Sequence, residues 1–218
     1  MCGRMNVTDH PGIQGLLDDL GIEYPISPQL NIAPGSEAEF VINNGGDPDL
    51  IKGYWSMLIE PKPSDPDHYR PNPKYKTFNA QSRRLYESRL WNQAYKSRRC
   101  IVPVSGFHEW KDGCYNITAV DGRALALAGL YQVNEFDGVI VPSFSVITLP
   151  PQPAFSHIHD KSFPFCLKPD EFENWLNPAI RDTDSFDAAM AEGIRFPIRI
   201  AKVRTPNDLA ELDVQFIE

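Results

Sequence analysis

The chain has 218 residues, of which 42% are hydrophobic and 23% charged, so it can bury one sizeable core as an ordinary globular protein does. Its net charge of −8 argues, taken alone, against a nucleic-acid partner. No apolar run approaches the roughly 18 residues of a membrane span and no secretory signal is visible, so we expect a cytoplasmic protein with no membrane partner.

The first third of the chain predicts a helix followed by a loop. Thr8 or Asp9 can cap this helix, Pro11 fits its first turn, and Gly21 can end it. Apolar residues recur between these ends at helical spacing: Ile13, Leu16, Leu17 and Leu20. Residues 22–37 contain three prolines and are predicted to form a loop.

The next predicted elements are a short strand at residues 39–42, a long loop and a second helix. The loop covers residues 60–73, which contain five prolines. The helix fits residues 83–97, with Ser82 as its cap. Its predicted inward-facing residues are Tyr86, Leu90, Trp91 and Ala94. Its predicted outward-facing cations are Arg83, Arg84, Arg89 and Lys96.

From residue 100 onward the sequence favours strands, with predicted ranges 100–104, 115–120, 124–131 and 139–148. Asp121-Gly122 lies between two of these ranges and predicts a hairpin turn. A third helix fits residues 169–176, and another strand follows Pro197. Because no repeat or linker interrupts these elements, we predict one α+β domain over residues 1–218.

Charge is distributed unevenly along the chain. Residues 61–111 contain eleven Lys/Arg and four Asp/Glu, a net charge of +7, whereas the remaining residues carry −15. A basic segment on an acidic body is typical of a local site for an anionic ligand. A basic helix face paired with acidic neighbours explains the same pattern equally well.

The cysteines are Cys2, Cys100, Cys114 and Cys166. No pair has the C-x-x-C spacing of a zinc site or a redox dithiol, so we expect reduced thiols, most of them in the core. His157 and His159 have the spacing of metal ligands. Because no acidic or Cys partner follows at ligand spacing, we predict no metal.

Cys2 is a candidate nucleophile because removal of Met1 would leave an amine and a thiol on one residue. The amine has a pKa of about 8, so a useful fraction is neutral near pH 7. Such a residue can form an imine with an aldehyde and then close a thiazolidine ring through its sulfur. It can also act as an N-terminal nucleophile on an amide. Considered alone, Cys2 is better explained as an inert thiol on a frayed terminus.

Further short segments accompany Cys2 in a fixed order. They are Met1-Cys2-Gly3-Arg4, Asn31-Ile32-Ala33-Pro34, Phe78-Asn79-Ala80, Arg99-Cys100-Ile101-Val102-Pro103 running to Gly106-Phe107-His108-Glu109-Trp110, and Ile158-His159-Asp160. In this order and at these spacings they resemble the SOS-response-associated peptidase (SRAP) family, from residue 1 to about residue 167.

The resemblance implies a β-rich, barrel-like core with a few flanking helices. It implies binding of single-stranded DNA and capture of the ring-opened aldehyde of an abasic site as a thiazolidine DNA–protein crosslink, which shields the lesion. It also implies a peptidase-like removal of Met1. We expect a monomer that needs no cofactor or metal, associated with the nucleoid if the source is bacterial.

Four positions match the reactive residues of the family: Cys2, Asn79, Glu109 and His159. The resemblance implies that Asn79 hydrogen-bonds the adduct or the amine and that Glu109 moves protons. His159 would protonate the sugar oxygen, with a pKa near working pH. Without the family pattern, Asn79 is better explained as a turn residue, Glu109 as an exposed strand residue and His159 as a turn cap.

The predicted DNA-binding residues are Arg4, Pro34, Trp55, Arg83 and Arg84. Two departures from the family pattern affect this surface. Gln81 stands where an arginine is expected on a DNA phosphate, and a second tryptophan is missing from residues 55–61. We expect Arg83, Arg84 or the segment around Tyr69 and Arg70 to supply the phosphate and stacking contacts instead.

Two other functions remain open at this stage. One is an N-terminal-nucleophile amidohydrolase or amidotransferase, which the proline-rich first third of the chain fits poorly. The other is a non-covalent single-stranded-DNA binding module, against which the retention of Cys2, Glu109 and His159 argues.

Overall fold

Sixteen strands and four α-helices make up most of residues 2–217, the part of the chain that the computed structural model describes. The strands are β1 (Arg4–Val7), β2 (Gln29–Ile32), β3 (Glu37–Asn44), β4 (Asp47–Trp55), β5 (Ile59–Lys62), β6 (Asp65–Pro71), β7 (Asn79–Gln81), β8 (Arg99–Val104), β9 (Gly106–Trp110), β10 (Cys114–Ala119), β11 (Leu125–Phe136), β12 (Val139–Leu149), β13 (Phe163–Pro164), β14 (Cys166–Leu167), β15 (Ile198–Thr205) and β16 (Asp208–Ile217). The helices are α1 (Pro11–Asp19), α2 (Arg89–Ser97), α3 (Phe172–Leu176) and α4 (Asp184–Ala191). Single 3-10 turns lie at Ser82–Arg84, Pro153–Phe155 and Pro169–Glu171.

Five strands close into a barrel in the order β4–β3–β8–β11–β12. The ring closes because β12 pairs with β11 on one side and with β4 on the other. β8 is buried along its whole length, as expected for a strand covered on both faces. Gly129 is required where β8, β11 and β12 meet, because a Cβ there would lie 2.7 Å from Cys100 Sγ. The predicted α+β class with a barrel-like core is confirmed.

A second sheet packs against the barrel, with the strand order β16–β15–β10–β9–β1–β2. The two sheets share one apolar core, which includes Phe40 and Phe144 of the barrel and Met5 and Phe107 of the second sheet. Burial of such side chains stabilises the fold by about 2 kcal/mol each. The arrangement brings β1 and β9 of one sheet close to β7 and β12 of the other.

The first helix forms as predicted but has a different cap. Neither Thr8 nor Asp9 caps α1; instead His10 Nδ1 accepts a hydrogen bond of 3.0 Å from the Gly12 amide. Gly21 follows the helix with a φ of 72°, which a glycine adopts without strain.

The second helix is shorter than predicted. Residues 82–84 form a 3-10 turn, and α2 begins only at Arg89, after Ser88. Tyr86 is half exposed rather than inward-facing, because its hydroxyl bonds to Asp187 at the surface. None of the helices within residues 2–217 is long and apolar enough to cross a membrane.

Two predicted loops contain strands. Residues 60–73 form most of the β5–β6 hairpin, which is a separate two-stranded sheet. Residues 22–37 contain β2, an edge strand paired with β1. Proline is tolerated within the hairpin, at Pro61, Pro66 and Pro71, because an edge strand has amides that need no partner. The three prolines of residues 22–37 lie outside β2, in the parts of that range that form loop and turn as predicted.

The strand predictions for the rest of the chain are largely confirmed as β3, β8, β10, β11, β12 and β15. The predicted hairpin at Asp121-Gly122 is wrong, although Gly122 turns the chain with a φ of 76°. The strand before it pairs with β9 and β15, whereas β11 pairs with β8 and β12. The turn therefore connects the two sheets. The third predicted helix forms as a 3-10 turn followed by α3.

Candidate active site

The four predicted reactive residues lie together where the two sheets meet. Cys2 precedes β1, Glu109 lies in the neighbouring β9, and Asn79 begins β7 across the core. His159 lies in the loop after the 3-10 turn at Pro153–Phe155, and its backbone amide donates to Phe155 O at 2.9 Å. They form two contacting pairs: Asn79 Nδ2 donates to Cys2 O at 3.0 Å, and Glu109 Oε2 lies 3.2 Å from His159 Nδ1.

Cys2 is fully buried rather than part of a frayed terminus. Burial, and after it the negative charge of the nearby Glu109, raises the pKa of the Cys2 thiol well above its usual value. The thiol is therefore neutral near pH 7 and becomes nucleophilic only when a base takes its proton. The predicted removal of Met1 concerns a residue outside the described range.

Asn79 is 8% exposed and is held by the pairing of β7 with Val146 of β12, so it is not a turn residue. Its Nδ2 is used by Cys2 O. Its Oδ1 is buried and has no hydrogen-bond partner within residues 2–217. A buried acceptor without a partner is unfavourable. This oxygen is therefore suited to accept a hydrogen bond from a ligand, or from the α-amine of Cys2 once Met1 has been removed.

Glu109 and His159 form a buried acid–base pair, with side chains 3% and 10% exposed. Burial raises the pKa of Glu109 to about 8 and lowers the pKa of His159 to about 4. Near pH 7 the contact therefore joins a protonated carboxyl to a neutral imidazole. Such a pair can give a proton from Glu109 and relay it through His159. The expected His159 pKa near working pH is wrong, because burial disfavours the imidazolium.

Arg4, two residues after Cys2, and Pro34 are both partly exposed. The Arg4 guanidinium donates to Asn31 Oδ1 at 2.9 Å and to Gly3 O at 2.6 Å. Asn31 has a φ of 54°, a left-handed conformation that asparagine tolerates better than most residues. The Asn31–Pro34 segment thus holds Arg4 in place.

Trp55 is completely buried, so the expected direct contact with DNA does not fit the structure. Its Nε1 donates to Phe78 O at 2.8 Å, and its ring packs edge-on against the Phe78 ring. Trp55 therefore supports the residue that precedes Asn79.

Tyr69 is likewise unavailable to a nucleotide. It is 7% exposed and packs against Tyr54 and Phe136, so the expected stacking on its ring is wrong. The Arg70 guanidinium forms an ion pair of 2.7 Å with Glu60, but its side chain is 43% exposed. The expected phosphate contact of Arg70 therefore stays a prediction.

A basic cleft of about 620 Å³ begins at Asn79. Its cationic lining residues are Lys74, Lys76, Arg84 and Arg89. None of these four forms an ion pair with a residue in the described part of the chain. Tyr75, which is 58% exposed, lies between the two lysines. An exposed aromatic among unpaired cations is suited to a single-stranded nucleic acid.

Several exposed residues near the site were not predicted from the sequence: Lys74, Tyr75 and Lys76, which line the basic cleft, and Trp110, which follows Glu109. The Lys-Tyr-Lys triplet could have predicted a nucleic-acid contact, since it places an aromatic ring between two positive charges. Trp110 follows Glu109 and is 43% exposed, so its ring can stack on a base next to the buried cluster. Within residues 2–217, no three His, Cys, Asp or Glu side chains are grouped as a metal site requires.

Comparison with known proteins extends the resemblance seen in the sequence. The family model described as "SOS response associated peptidase (SRAP)" matches residues 1–205. The chain is 30% identical over 194 residues to the abasic site processing protein YobE of Bacillus subtilis, covering 84% of this chain and 85% of that protein. It is 32% identical over 110 residues to the abasic site processing protein YMR114C of Saccharomyces cerevisiae, covering 47% of this chain and 29% of that protein.

Solved structures show the same fold. A protein from Bordetella bronchiseptica superposes with a TM-score of 0.70 at 19% identity, covering 94% of this chain and all of that one. A protein from Bacteroides thetaiotaomicron superposes with a TM-score of 0.63 at 19% identity, covering 95% of this chain and 94% of that one.

Proposed function

The chain belongs to the SOS response associated peptidase (SRAP) family, and from that premise we propose that it processes abasic sites in single-stranded DNA. It does so by forming a thiazolidine crosslink through Cys2 after Met1 has been removed. The observation that carries the proposal is the buried cluster of Cys2, Asn79, Glu109 and His159. The names of the curated relatives agree with abasic-site processing.

The proposed chemistry needs only the groups of Cys2 and a proton carrier. The α-amine adds to the aldehyde carbon, forming a C–N bond, and the carbonyl oxygen leaves as water to give an imine. The sulfur then adds to the imine carbon and its proton moves to the nitrogen, which closes the ring. One water is released and no electrons are transferred, so the balance requires no redox partner.

Each neighbour has a role that follows from its state. The protonated Glu109 carboxyl donates the proton with which water leaves, and its carboxylate then takes the proton of the neutral Cys2 thiol. His159, 3.2 Å from Glu109, relays a proton to the ring oxygen of the sugar and favours the open aldehyde. Asn79 Oδ1 accepts a hydrogen bond from the amine.

The proposal includes removal of Met1 by the protein's own peptidase activity, because only a free α-amine on Cys2 can form the ring. The proposal also includes a monomer that needs no metal or cofactor, since the four clustered residues supply the nucleophiles and the proton carriers of the reaction. We place it in the cytoplasm, at the nucleoid if its source is bacterial.

Single-stranded DNA enters along the basic cleft that begins at Asn79. Arg84 and Arg89 neutralise phosphates there, and Tyr75 stacks on a base. A stretch of exposed cations explains how a chain with a net charge of −8 binds DNA, because the attraction is local. Arg4 and Trp110 extend this contact to the other side of Cys2.

The test uses two oligonucleotides that differ only by one abasic site. After incubation and heating in denaturant, we expect a retarded protein–DNA band with the abasic oligonucleotide alone. A non-covalent binding module would shift both oligonucleotides on a native gel and neither after denaturation. An amidohydrolase would release ammonia from glutamine without any band. Either of these outcomes contradicts the proposal.

A further inference from the structure

The loop that carries His159 contacts two strands of the second sheet that are not neighbours. His159 Nδ1 lies 3.2 Å from Glu109 Oε2 of β9. Two residues earlier in the chain, His157 Nε2 lies 2.9 Å from Gln215 Oε1 of β16. Because β10 and β15 separate β9 from β16, these two contacts reach across four strands. They therefore hold the loop at two well-separated points of the sheet.

Strand register places Gln215 on the same face of the second sheet as the reactive cluster. Gln215 of β16 is opposite Ile200 of β15. That row continues through Ile117 of β10 to Phe107 of β9. Residues directly opposite each other in paired strands share a face, and so do residues two positions apart in one strand. Gln215 therefore lies on the face that carries Phe107 and Glu109, which is the face that the loop crosses.

Two kinds of contact fix the rest of this loop. Phe155 and Ile158 are completely buried, and the Ile158 amide donates to Phe155 O at 3.0 Å. Lys111 Nζ, one residue beyond β9, donates to Ser156 O at 2.6 Å. Apolar burial is non-directional, whereas a hydrogen bond requires a defined angle. We therefore expect the polar contacts to set the angle at which the loop presents His159.

The angle of the His159 ring matters because the ring has to contact the cluster and the lesion together. Its Nδ1 lies beside Glu109, and the ring also hydrogen-bonds the backbone of Trp110. In the proposed function His159 relays a proton to the ring oxygen of the sugar, which requires heavy atoms about 2.6–3.2 Å apart. A misplacement of about 1 Å at such a site can slow a reaction about 100-fold. Contacts that set the angle of the loop therefore affect the rate.

We infer that Gln215 is a positioning residue for His159, because its hydrogen bond with His157 holds the loop at the angle that proton transfer to the lesion requires. The inference rests on the proposed function. Since an amide oxygen can only accept, His157 Nε2 is the donor of this bond. Gln215 lies beyond residue 205, at which the family match ends, so the family motifs do not include this contact.

The experiment uses two single-stranded oligonucleotides with different aldehydes. One carries an abasic site, whose sugar is largely ring-closed, and the other carries an acyclic aldehyde with no hydroxyl placed to close a ring. Single-turnover crosslinking rates are measured for the parent, Gln215→Ala and His157→Ala. On the abasic oligonucleotide we expect each variant to be about fivefold slower, the scale of one neutral hydrogen bond. On the acyclic aldehyde both should match the parent, because no ring has to open.

Double variants test whether Gln215 acts through His157 and His159. Gln215→Ala combined with His157→Ala should be no slower than either single variant, since both remove the same hydrogen bond. In a His159→Ala background, Gln215→Ala should slow the reaction no further. A merely structural effect of Gln215 would slow both oligonucleotides alike and would persist in that background. Either result would overturn the inference.

Gln215→Glu is the conservative variant, because its carboxylate also accepts from His157, and it should restore most of the rate lost in Gln215→Ala. Gln14→Ala is the matched control, since Gln14 also forms one exposed side-chain hydrogen bond, of 2.8 Å to Asp18 on α1, and it should crosslink as the parent does.

The Tm of each variant is measured as well. If Gln215→Ala lowers the Tm, His157→Ala decides the test, because His157 is exposed in a loop. A parent protein that never crosslinks the abasic oligonucleotide sinks the proposed function. A parent that crosslinks, with His157→Ala reacting as fast on the abasic site, sinks only the positioning role.

Discussion

The reactive cluster and the exposed basic residues around the basic cleft meet different physical requirements. Cys2, Asn79 and Glu109 are all less than a tenth exposed and are fixed by strands of two sheets. Arg83 and Arg84, in contrast, are exposed and project from a 3-10 turn. Proton transfer requires close contacts and burial, which few arrangements supply, whereas a phosphate can be neutralised by a cation from many backbone positions. Departures from the family pattern at Gln81 and Arg83 therefore fall in the exposed region.

The largest expected effect separates the two nucleophiles of the buried cluster. Cys2→Ala keeps the N-terminal amine and still permits Met1 removal, but it lacks the sulfur that closes the ring. We expect complete loss of the heat-stable adduct with a single-stranded abasic oligonucleotide, measured by denaturing gel. An imine can still form, so borohydride should trap a covalent band.

The control for Cys2→Ala is Cys114→Ala, since Cys114 is also a buried thiol but lies with Ala201 and Val203 in a separate apolar cluster. This variant should crosslink as the parent does. A heat-stable band from Cys2→Ala would show that the reactive group is not Cys2. The contrast between a buried reactive cluster and an exposed binding surface would then no longer hold.

Glu109→Gln tests whether burial in the cluster serves proton transfer. The amide has the same shape but cannot exchange a proton, so we expect crosslinking to slow by about two or more orders of magnitude. The parent rate should rise with pH as the amine loses its proton, then fall above about pH 8 as Glu109 ionises.

In Glu109→Gln the crosslinking rate should still rise with pH but should no longer fall above about pH 8, as measured by single-turnover rates from pH 6 to 10. Glu87→Gln is the control, since Glu87 is an exposed carboxylate outside the cluster. A falling limb that persists in Glu109→Gln would assign it to another group.

The same contrast explains what could be predicted from sequence. The four proposed reactive residues could be selected because each occurs in a short motif of the family resemblance. The motifs of Cys2, Asn79 and Glu109 also lie in or beside paired strands, as Arg4↔His108 shows for β1 and β9, whereas His159 lies in a loop. The residues that stack on bases or bind phosphates in the proposed function could not be predicted in the same way. Trp55 and Tyr69 look like nucleotide contacts in the sequence, and only the fold shows that both rings are buried.

Barrel closure depends on contacts between residues far apart in sequence. β12 pairs with β4 and β7, strands that precede it by tens of residues, and no local pattern predicts that register. For the same reason the Asp121-Gly122 turn, a correct local signal, predicted the wrong pairing. The position of the turn could be predicted from its local sequence, but the pairing of the flanking strands depends on how the two sheets pack around the shared core.

A smaller effect concerns the cost of burying polar groups beside the cluster. His108 is fully buried in β9, and neither ring nitrogen has a partner within residues 2–217. Burial, and after it the positive charge of Arg4, lowers the pKa of His108 to about 4. The unfolded chain therefore binds more protons than the folded one between about pH 6.5 and 4, so stability is lost as pH falls through that window.

We expect His108 to account for a decrease of about 3 kcal/mol in the free energy of unfolding across this window. His108→Leu should remove this decrease in the free energy of unfolding. The decrease due to His159, whose pKa is also lowered, should remain. Urea unfolding at pH 7, 5.5 and 4 measures the difference. An identical pH dependence in parent and variant would show that His108 does not titrate on unfolding.

The smallest expected effect lies in the exposed region, where single cations are replaceable. Binding is measured by fluorescence anisotropy on a Cys2→Ala background with a single-stranded oligonucleotide that has no abasic site, so that neither a thiazolidine nor an imine forms. Arg84→Ala and Arg89→Ala should each weaken binding a few-fold and reduce the slope of log K against log salt by about 0.7, the value for one contact on a single strand. Lys96→Ala is the matched control, because Lys96 is exposed on the same helix as Arg89 but does not line the cleft. If Lys96→Ala lowers the slope as much as Arg89→Ala does, the attraction comes from overall charge and the cleft is not the path of the strand.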